Sequence, residues 1–370
     1  MAIRLAGVTT PRVRLRAAIE AMAPYRQGNP AADDAFKLSS NENHFAPLPA
    51  VLDVLANPAI NRYPDASATV LRARLAERHG VTPDEVHVGA GSVAVLAELI
   101  SAAAGAGDEV IHSWRSFEAY PGLVTVAGAT GIAVPGTPDF RHDLPAMAAA
   151  ITERTRVIIV CSPNNPTGTI VTDEEFRRFM TVVPSTVLVL LDEAYIEFAA
   201  ESLAVTGIPL LGYYPNLVVL RTFSKAYGLA GLRIGYAVGA AYLMNAAAAS
   251  AIPLSVIDLA QRAAIASLDH DAELLERVAV IARLRDSVWR GLVDQGWAIP
   301  PSFGNFVWLP TGANTAAAAR VFADHGIVVR ALGEGLRVSI GEPESVEKLL
   351  QASGEVVRNL LTAPQRVTLD

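Results

Sequence analysis

Cysteine is almost missing from this chain: Cys161 stands alone among 370 residues. That excludes a disulfide-stapled scaffold and any cysteine-ligated metal cluster. Lysine is nearly as scarce, with only Lys37, Lys225 and Lys348, so arginine carries almost all the basic charge. Arginine stays protonated in a protein and cannot form a Schiff base, whereas a desolvated lysine can. An amine nucleophile, if there is one, is therefore one of three residues. A surplus of positive charge is lacking too: 30 basic against 37 acidic residues leave −7. Nucleic acid is not an expected partner, because it needs a basic face. The opening residues contain no apolar stretch followed by a small-residue cleavage site, and the expected location is cytoplasmic. From Ile234 to Ile257 no residue is charged, which is long enough to span a bilayer. That stretch is mostly alanine and is interrupted by Gly235, Gly239 and Pro253. It reads as a buried strand, a turn and an alanine-rich helix, and no membrane is expected.

What is present is apolar surface. Just over half the residues, 51%, are hydrophobic and 18% are charged, enough for a large core in a chain of more than one domain. Short apolar runs alternate with helical stretches at Glu85–Val88, Glu109–His112, Gly131–Val134, Val157–Cys161, Val187–Leu191, Leu217–Leu220 and Arg233–Val238. Their β-branched, near-continuous character suits strands covered on both faces by crossover helices. Thr172 with Glu175 three residues on is a capping box that starts one such helix. The expectation is an α/β fold, with a large domain over residues 45–250 built on a mostly parallel sheet. Residues 1–44 and 251–370 should make a smaller α+β domain. In it, Asp258–Gln295 reads as one long helix, followed by Phe306–Leu309, a helix at Ala316–His325, strands at Ile327–Val329 and Gly335–Ile340, and a last helix from Glu344.

Ligands of open α/β sheets bind beyond the carboxyl ends of the strands, so the residues delivered there matter most. Val157–Cys161 runs into Ser162-Pro163-Asn164-Asn165-Pro166-Thr167-Gly168, a rigid loop presenting an amide, although a tight turn alone also explains the prolines. Val187–Leu191 runs into Asp192-Glu193-Ala194-Tyr195. A carboxylate after five apolar residues is costly unless paired, so Asp192 should have a cationic partner or serve as a helix cap. Leu217–Leu220 leads to Arg221-Thr222-Phe223-Ser224-Lys225, which places a scarce lysine at a buried strand end, where an amine's pKa falls. Arg233 opens the next strand and should point back into the same cleft.

Glu85–Val88 opens into Gly89-Ala90-Gly91-Ser92 and a helix, whose first amides suit a phosphate. The spacing Gly89, Gly91, Ala94 also fits a dinucleotide fingerprint, which calls for an acid at the end of the next strand. That strand ends His112-Ser113-Trp114-Arg115 with no acid, and a single phosphate is the better reading. A phosphate site, a carboxylate wanting a cation, a tyrosine, an asparagine and a low-pKa lysine are the set pyridoxal 5′-phosphate requires.

From Leu38-Ser39-Ser40-Asn41-Glu42-Asn43 to Arg337-Val338-Ser339-Ile340-Gly341 the chain resembles fold type I pyridoxal-phosphate aminotransferases, within the class II group of histidinol-phosphate aminotransferases. The resemblance implies a homodimer and a ping-pong exchange between an amino acid and a 2-oxo acid. By position, Lys225 looks like the Schiff-base lysine, Asp192 the partner of the ring nitrogen, and Tyr195 and Asn165 donors to the phenolic oxygen. Gly91, Ser92, Val93, Ser224 and Arg233 look like the phosphate cup, and Phe117 like the aromatic that stacks on the ring. Tyr63, in Asn61-Arg62-Tyr63-Pro64-Asp65, matches a tyrosine that reaches the neighbouring subunit's cofactor. Arg337 matches the clamp on the substrate α-carboxylate, with Asn165, Arg330 and Tyr25 as further substrate contacts. Gly91-Ser92-Val93, Trp114-Arg115-Ser116-Phe117-Glu118 and Asn305-Phe306-Val307-Trp308-Leu309-Pro310 look like the aromatic (phenylalanine) aminotransferase branch. Arg330 also matches a cation that histidinol-phosphate enzymes offer their substrate, so both substrates stay open. On the aromatic reading, Tyr25, Phe117 and Tyr120 line the side-chain pocket with Arg330 at its rim. The only other cations on offer there are Arg26 and Arg115.

Overall fold

The computed structural model describes residues 13–24, 31–32, 34–56, 60–199 and 203–361. In chain order its strands are β1 (Phe36–Leu38), β2 (Val86–Gly89), β3 (Glu109–Trp114), β4 (Thr130–Pro135), β5 (Thr155–Cys161) and β6 (Leu188–Asp192). Then follow β7 (Leu217–Thr222), β8 (Gly235–Gly239), β9 (Phe306–Leu309), β10 (Ile327–Ala331) and β11 (Leu336–Ser339). Seven of them form one sheet in the order β2-β8-β7-β6-β5-β3-β4, and β1-β10-β11-β9 form a second. Every neighbouring pair of the larger sheet is parallel except those of β8, which runs antiparallel to β7 and β2.

The unbroken apolar runs have a direct cause. Along β6, Leu188 and Leu190 pack into one core while Val189 and Leu191 pack into the other; β5 and β7 divide in the same way. One face is covered by helices Ser92–Ala103, Tyr120–Ala127 and Ala241–Ser250, the other by Leu144–Ala149 and Asp173–Met180. Successive strand residues point to opposite faces, so a sheet covered twice must be apolar at every position. All seven expected runs are strands of this sheet, with ends displaced by one or two residues. The Thr172–Glu175 capping box forms as read, at the start of Asp173–Met180. The uncharged stretch from Ile234 becomes β8 and helix Ala241–Ser250, and no described helix is long and apolar enough to cross a membrane.

One expectation in the remainder is corrected, and one element was missed. Asp258–Gln295 is two helices, Asp258–Asp269 and Asp271–Asp294, because His270 leaves the helical region at φ −116°, ψ 28°. The sequence also hides β1, a three-residue strand that pairs in parallel with β10. The small sheet packs against Asp271–Asp294, Thr315–Asp324 and Ser345–Asn359 around Phe306, Phe322, Leu336 and Val356.

Candidate active site

Because β8 is reversed, its amino end lies beside the carboxyl ends of its neighbours: Gly235 pairs with Gly89 of β2 and Thr222 of β7. One sheet edge therefore collects the loops after β2, β5, β6 and β7, and a cavity of about 1090 Å³ opens over it.

The loop after β2 turns at Gly91, φ +83°, into helix Ser92–Ala103. Any Cβ there would press on the Arg233 guanidinium, so glycine answers both the backbone angle and the close approach. Arg233 itself sits at φ +52° just before β8, not within it as the sequence suggested. Its Nη1 donates to Ser224 Oγ (3.2 Å) and to the Ala230 carbonyl (3.0 Å). Free helix amides, two hydroxyls and a guanidinium thus converge on one point, the chemistry of a phosphate site.

Asp192 ends β6, buried. Its Oδ2 accepts from the Tyr120 hydroxyl at 2.7 Å and its Oδ1 from the Ala194 amide at 3.2 Å. Among the described residues no ion pair reaches Asp192; Arg221 pairs with the next residue, Glu193, at 2.8 Å. Burial pushes the Asp192 carboxyl above its usual range, with Tyr120 and the Ala194 amide pulling back. A cation brought to this oxygen pair would relieve that cost. Tyr120 is correspondingly misplaced by the sequence reading. It lies beneath the cavity floor, fully buried, and its ring meets Phe117 edge-on at 5.5 Å.

Lys225 follows β7, and its Nζ donates to the Ser40 and Asn41 carbonyls at 3.1 and 3.3 Å. Burial, then the cations Arg337 and Arg233, lower its pKa to about 7, against an opposing pull from Glu42. Lys37 and Lys348 are exposed, and Lys37 pairs with Glu42. Tyr195 Oη accepts from Asn41 Nδ2 at 3.0 Å, and burial raises the phenol to about 12. From the loop after β5, Asn165 Oδ1 accepts from Arg337 Nη1 at 2.7 Å, while Nη2 donates to the Ser39 carbonyl at 2.8 Å. Its neighbour Asn164 turns inward and ties the loop to Ser116 and Thr167.

Lys225, Asp192, Tyr195, Asn165, Ser92, Val93, Ser224, Arg233, Phe117, Arg330 and Arg337 all line the one cavity. Arg330 does not stand there as a bare cation: its Nη2 donates to Glu118 Oε1. Arg115 is not in the lining and stacks over Trp114, 4.6 Å from the ring centre. Tyr63 lies outside the cavity and is 86% exposed. Tyr25 and Arg26 lie outside the described residues. Sequence reasoning missed Asn41, Glu118 and the apolar wall of Met22, Leu123 and Val126. A signal for Asn41 existed, since it stands in the Ser39-Ser40-Asn41-Glu42-Asn43 run and asparagine tolerates its φ of +53°.

Pyridoxal 5′-phosphate fits this set on chemical grounds. The helix terminus with Ser92, Ser224 and Arg233 suits a phosphate. Asp192 has no cationic partner among the described residues and suits a protonated ring nitrogen, and Lys225 offers an amine that loses its proton near pH 7. The family model described as aminotransferase class I and II matches residues 33–352. The chain belongs to that family. Among its aminotransferase relatives, an aromatic amino acid aminotransferase of Streptomyces coelicolor is 48% identical over 358 residues, 95% of this chain and 99% of that one. One from Cutibacterium acnes is 49% identical over 346 residues, covering 93% and 98%. Among solved aminotransferases, histidinol-phosphate aminotransferase from Sinorhizobium meliloti, in complex with pyridoxal 5′-phosphate, superposes with a TM-score of 0.84 at 29% identity. That match covers 96% of this chain and 100% of the other. Aspartate aminotransferase from Thermus thermophilus with maleate gives 0.81 at 25% identity, over 93% and 100%.

Proposed function

We propose that the protein transfers an amino group between an aromatic amino acid, phenylalanine or tyrosine, and 2-oxoglutarate, with pyridoxal 5′-phosphate held in the cavity. When bound, the cofactor supplies an electron sink that makes the substrate Cα–H acidic. The chain's own groups do the rest. Arg337 grips the α-carboxylate with its planar fork, and Asn165 fixes the guanidinium's position. Lys225, its pKa near 7, takes the proton from Cα and returns it on the opposite side of the exchange as acid. Asp192, held in place by the Tyr120 hydroxyl, would keep the ring nitrogen protonated. Tyr195 and Asn165 would donate to the phenolic oxygen, and Ser92, Ser224 and Arg233 would hold the phosphate.

The choice of an aromatic guest is carried by the cavity wall. Met22, Ala23, Leu123 and Val126 line it, an apolar surface from helix Tyr120–Ala127 and the segment that packs on it. An aromatic ring gains by burial there, whereas a phosphate dianion would be desolvated beside aliphatic groups. The names of the relatives near 48% identity point the same way. The active unit we propose is a cytoplasmic homodimer, in which the exposed Tyr63 reaches the cofactor phosphate of the second subunit. The test is a side-by-side assay of phenylalanine and histidinol phosphate with 2-oxoglutarate. Phenylalanine should have the higher kcat/KM, and a tenfold win for histidinol phosphate, ~1.4 kcal/mol of transition-state discrimination, would assign the chain to histidine biosynthesis instead.

A further inference from the structure

Arg330 and Arg337 are directly opposed across the antiparallel pair β10–β11. Cross-strand partners project from the same face of a sheet, and both of these side chains reach the cavity. Two guanidiniums side by side would suit a substrate with an anion at each end. They are not equivalent, however. Arg337 donates to neutral oxygens, those of Asn165 and Ser39. Arg330 is bound to a carboxylate of the chain itself, Glu118, which follows Phe117 in the loop after β3. The two side chains of this pair are only 16% and 18% exposed, so water screens their attraction weakly.

The geometry points to Glu118 as a specificity-determining residue for the aminotransferase reaction: it occupies the anion-accepting edge of Arg330 and biases the cavity toward substrates whose far end is uncharged. An anionic side chain has to displace Glu118 from Arg330 or lie beside it, and like charges held together repel. An uncharged ring meets neither penalty. The same competition falls on the distal carboxylate of 2-oxoglutarate, so Glu118 sets the balance between the two halves of the exchange. This inference rests on the aromatic reading above and deepens it.

Calorimetric titration of the holoenzyme with glutarate and with 3-phenylpropionate tests it. Both probes offer one carboxylate to Arg337 and differ at the other end, anionic against uncharged. In Glu118→Gln the affinity for glutarate relative to 3-phenylpropionate should rise by about tenfold or more. Glu118→Asp, which keeps the carboxylate, should stay near the wild-type ratio. In the double variant Glu118→Gln/Arg330→Gln the gain should vanish, because it depends on the charge of the Arg330 guanidinium. Glu118→Ala gives the same reading if the amide variant is unstable. A ratio unmoved by losing the carboxylate, or a gain that survives the loss of Arg330, overturns the assignment. The aromatic reading fails separately: it falls if wild-type enzyme prefers histidinol phosphate to phenylalanine, whatever the ratio does.

Discussion

The two sheets contribute to the cavity in different ways. In the larger one, β5 to β7 are buried on both faces, and each delivers its group from beyond or at the strand end: Asn165, Asp192 and Lys225. In the smaller one, the arginines stand within the strands, Arg330 in β10 and Arg337 in β11, and β10 is only partly buried. A rigid, twice-covered frame thus holds Asp192 and Lys225, which every substrate would meet. The small sheet adds Arg337, proposed for the α-carboxylate common to all amino acids, and Arg330, proposed to distinguish one far end from another. Damage to the frame or to Arg337 should slow all amino acids in proportion, and damage at Arg330 should change their ranking.

The largest effect should come from Lys225→Ala. Loss of the one buried-site amine removes the proton carrier, a function worth ~10²–10⁴-fold, and it also removes the covalent hold on the cofactor. Single-turnover absorbance should fall alike with phenylalanine, tyrosine and glutamate as donors. A selective loss for one donor would break the division between frame and selector. A smaller, equally uniform effect is expected at the floor. Asp192→Asn should cut kcat by on the order of 10²–10³-fold, as does loss of a charge aimed at the reacting system. Tyr120→Phe removes one hydrogen bond to that carboxylate, ~1.5 kcal/mol or roughly tenfold. Had Tyr120 walled the side-chain pocket, as its sequence position suggested, this change would alter the preference for phenylalanine over smaller amino acids. With its hydroxyl on Asp192, the ranking should hold while every rate falls.

The same contrast explains what could be read from the sequence. The central strands β5, β6 and β7 were legible because burial on both faces forces uninterrupted apolar runs, and a polar residue such as Asp192 breaking such a run marks a strand end. Edge strand β4 is mostly exposed and was legible only as a short apolar run. β1 was not legible, since three residues, Phe36-Lys37-Leu38, carry no pattern and their partner β10 lies at the far end of the chain. The break at His270 has no glycine or proline to announce it. Lys225 stood out by scarcity and context. Glu118 did not, because its meaning depends on Arg330, 212 residues away and on the other sheet. Strand-end chemistry is written locally; selectivity here is written in pairs.

The smallest effect joins the two sheets, because Arg337 acts on Lys225 at a distance. Burial contributes most to lowering the lysine to about 7, and Arg337 comes next among the groups that disfavour the ammonium. Only the neutral amine is a nucleophile. Loading of apo-protein with pyridoxal 5′-phosphate should therefore speed up as pH rises through about 7 and then level off, well below the ordinary lysine value of 10.5. The proton linkage has the same sign: between those two values the unfolded chain holds a proton that the folded one has lost, so this group makes the apo-protein more stable as pH rises. Arg337→Gln removes a cation that repels the ammonium, so the protonated form survives to higher pH and the loading midpoint should move upward. Stopped-flow loading rates of both proteins across this range measure the shift directly. A midpoint that stays fixed would leave burial and Arg233 as the cause and confine Arg337 to substrate binding. A midpoint that rises shows that the residue which grips the substrate also tunes the amine that acts on it.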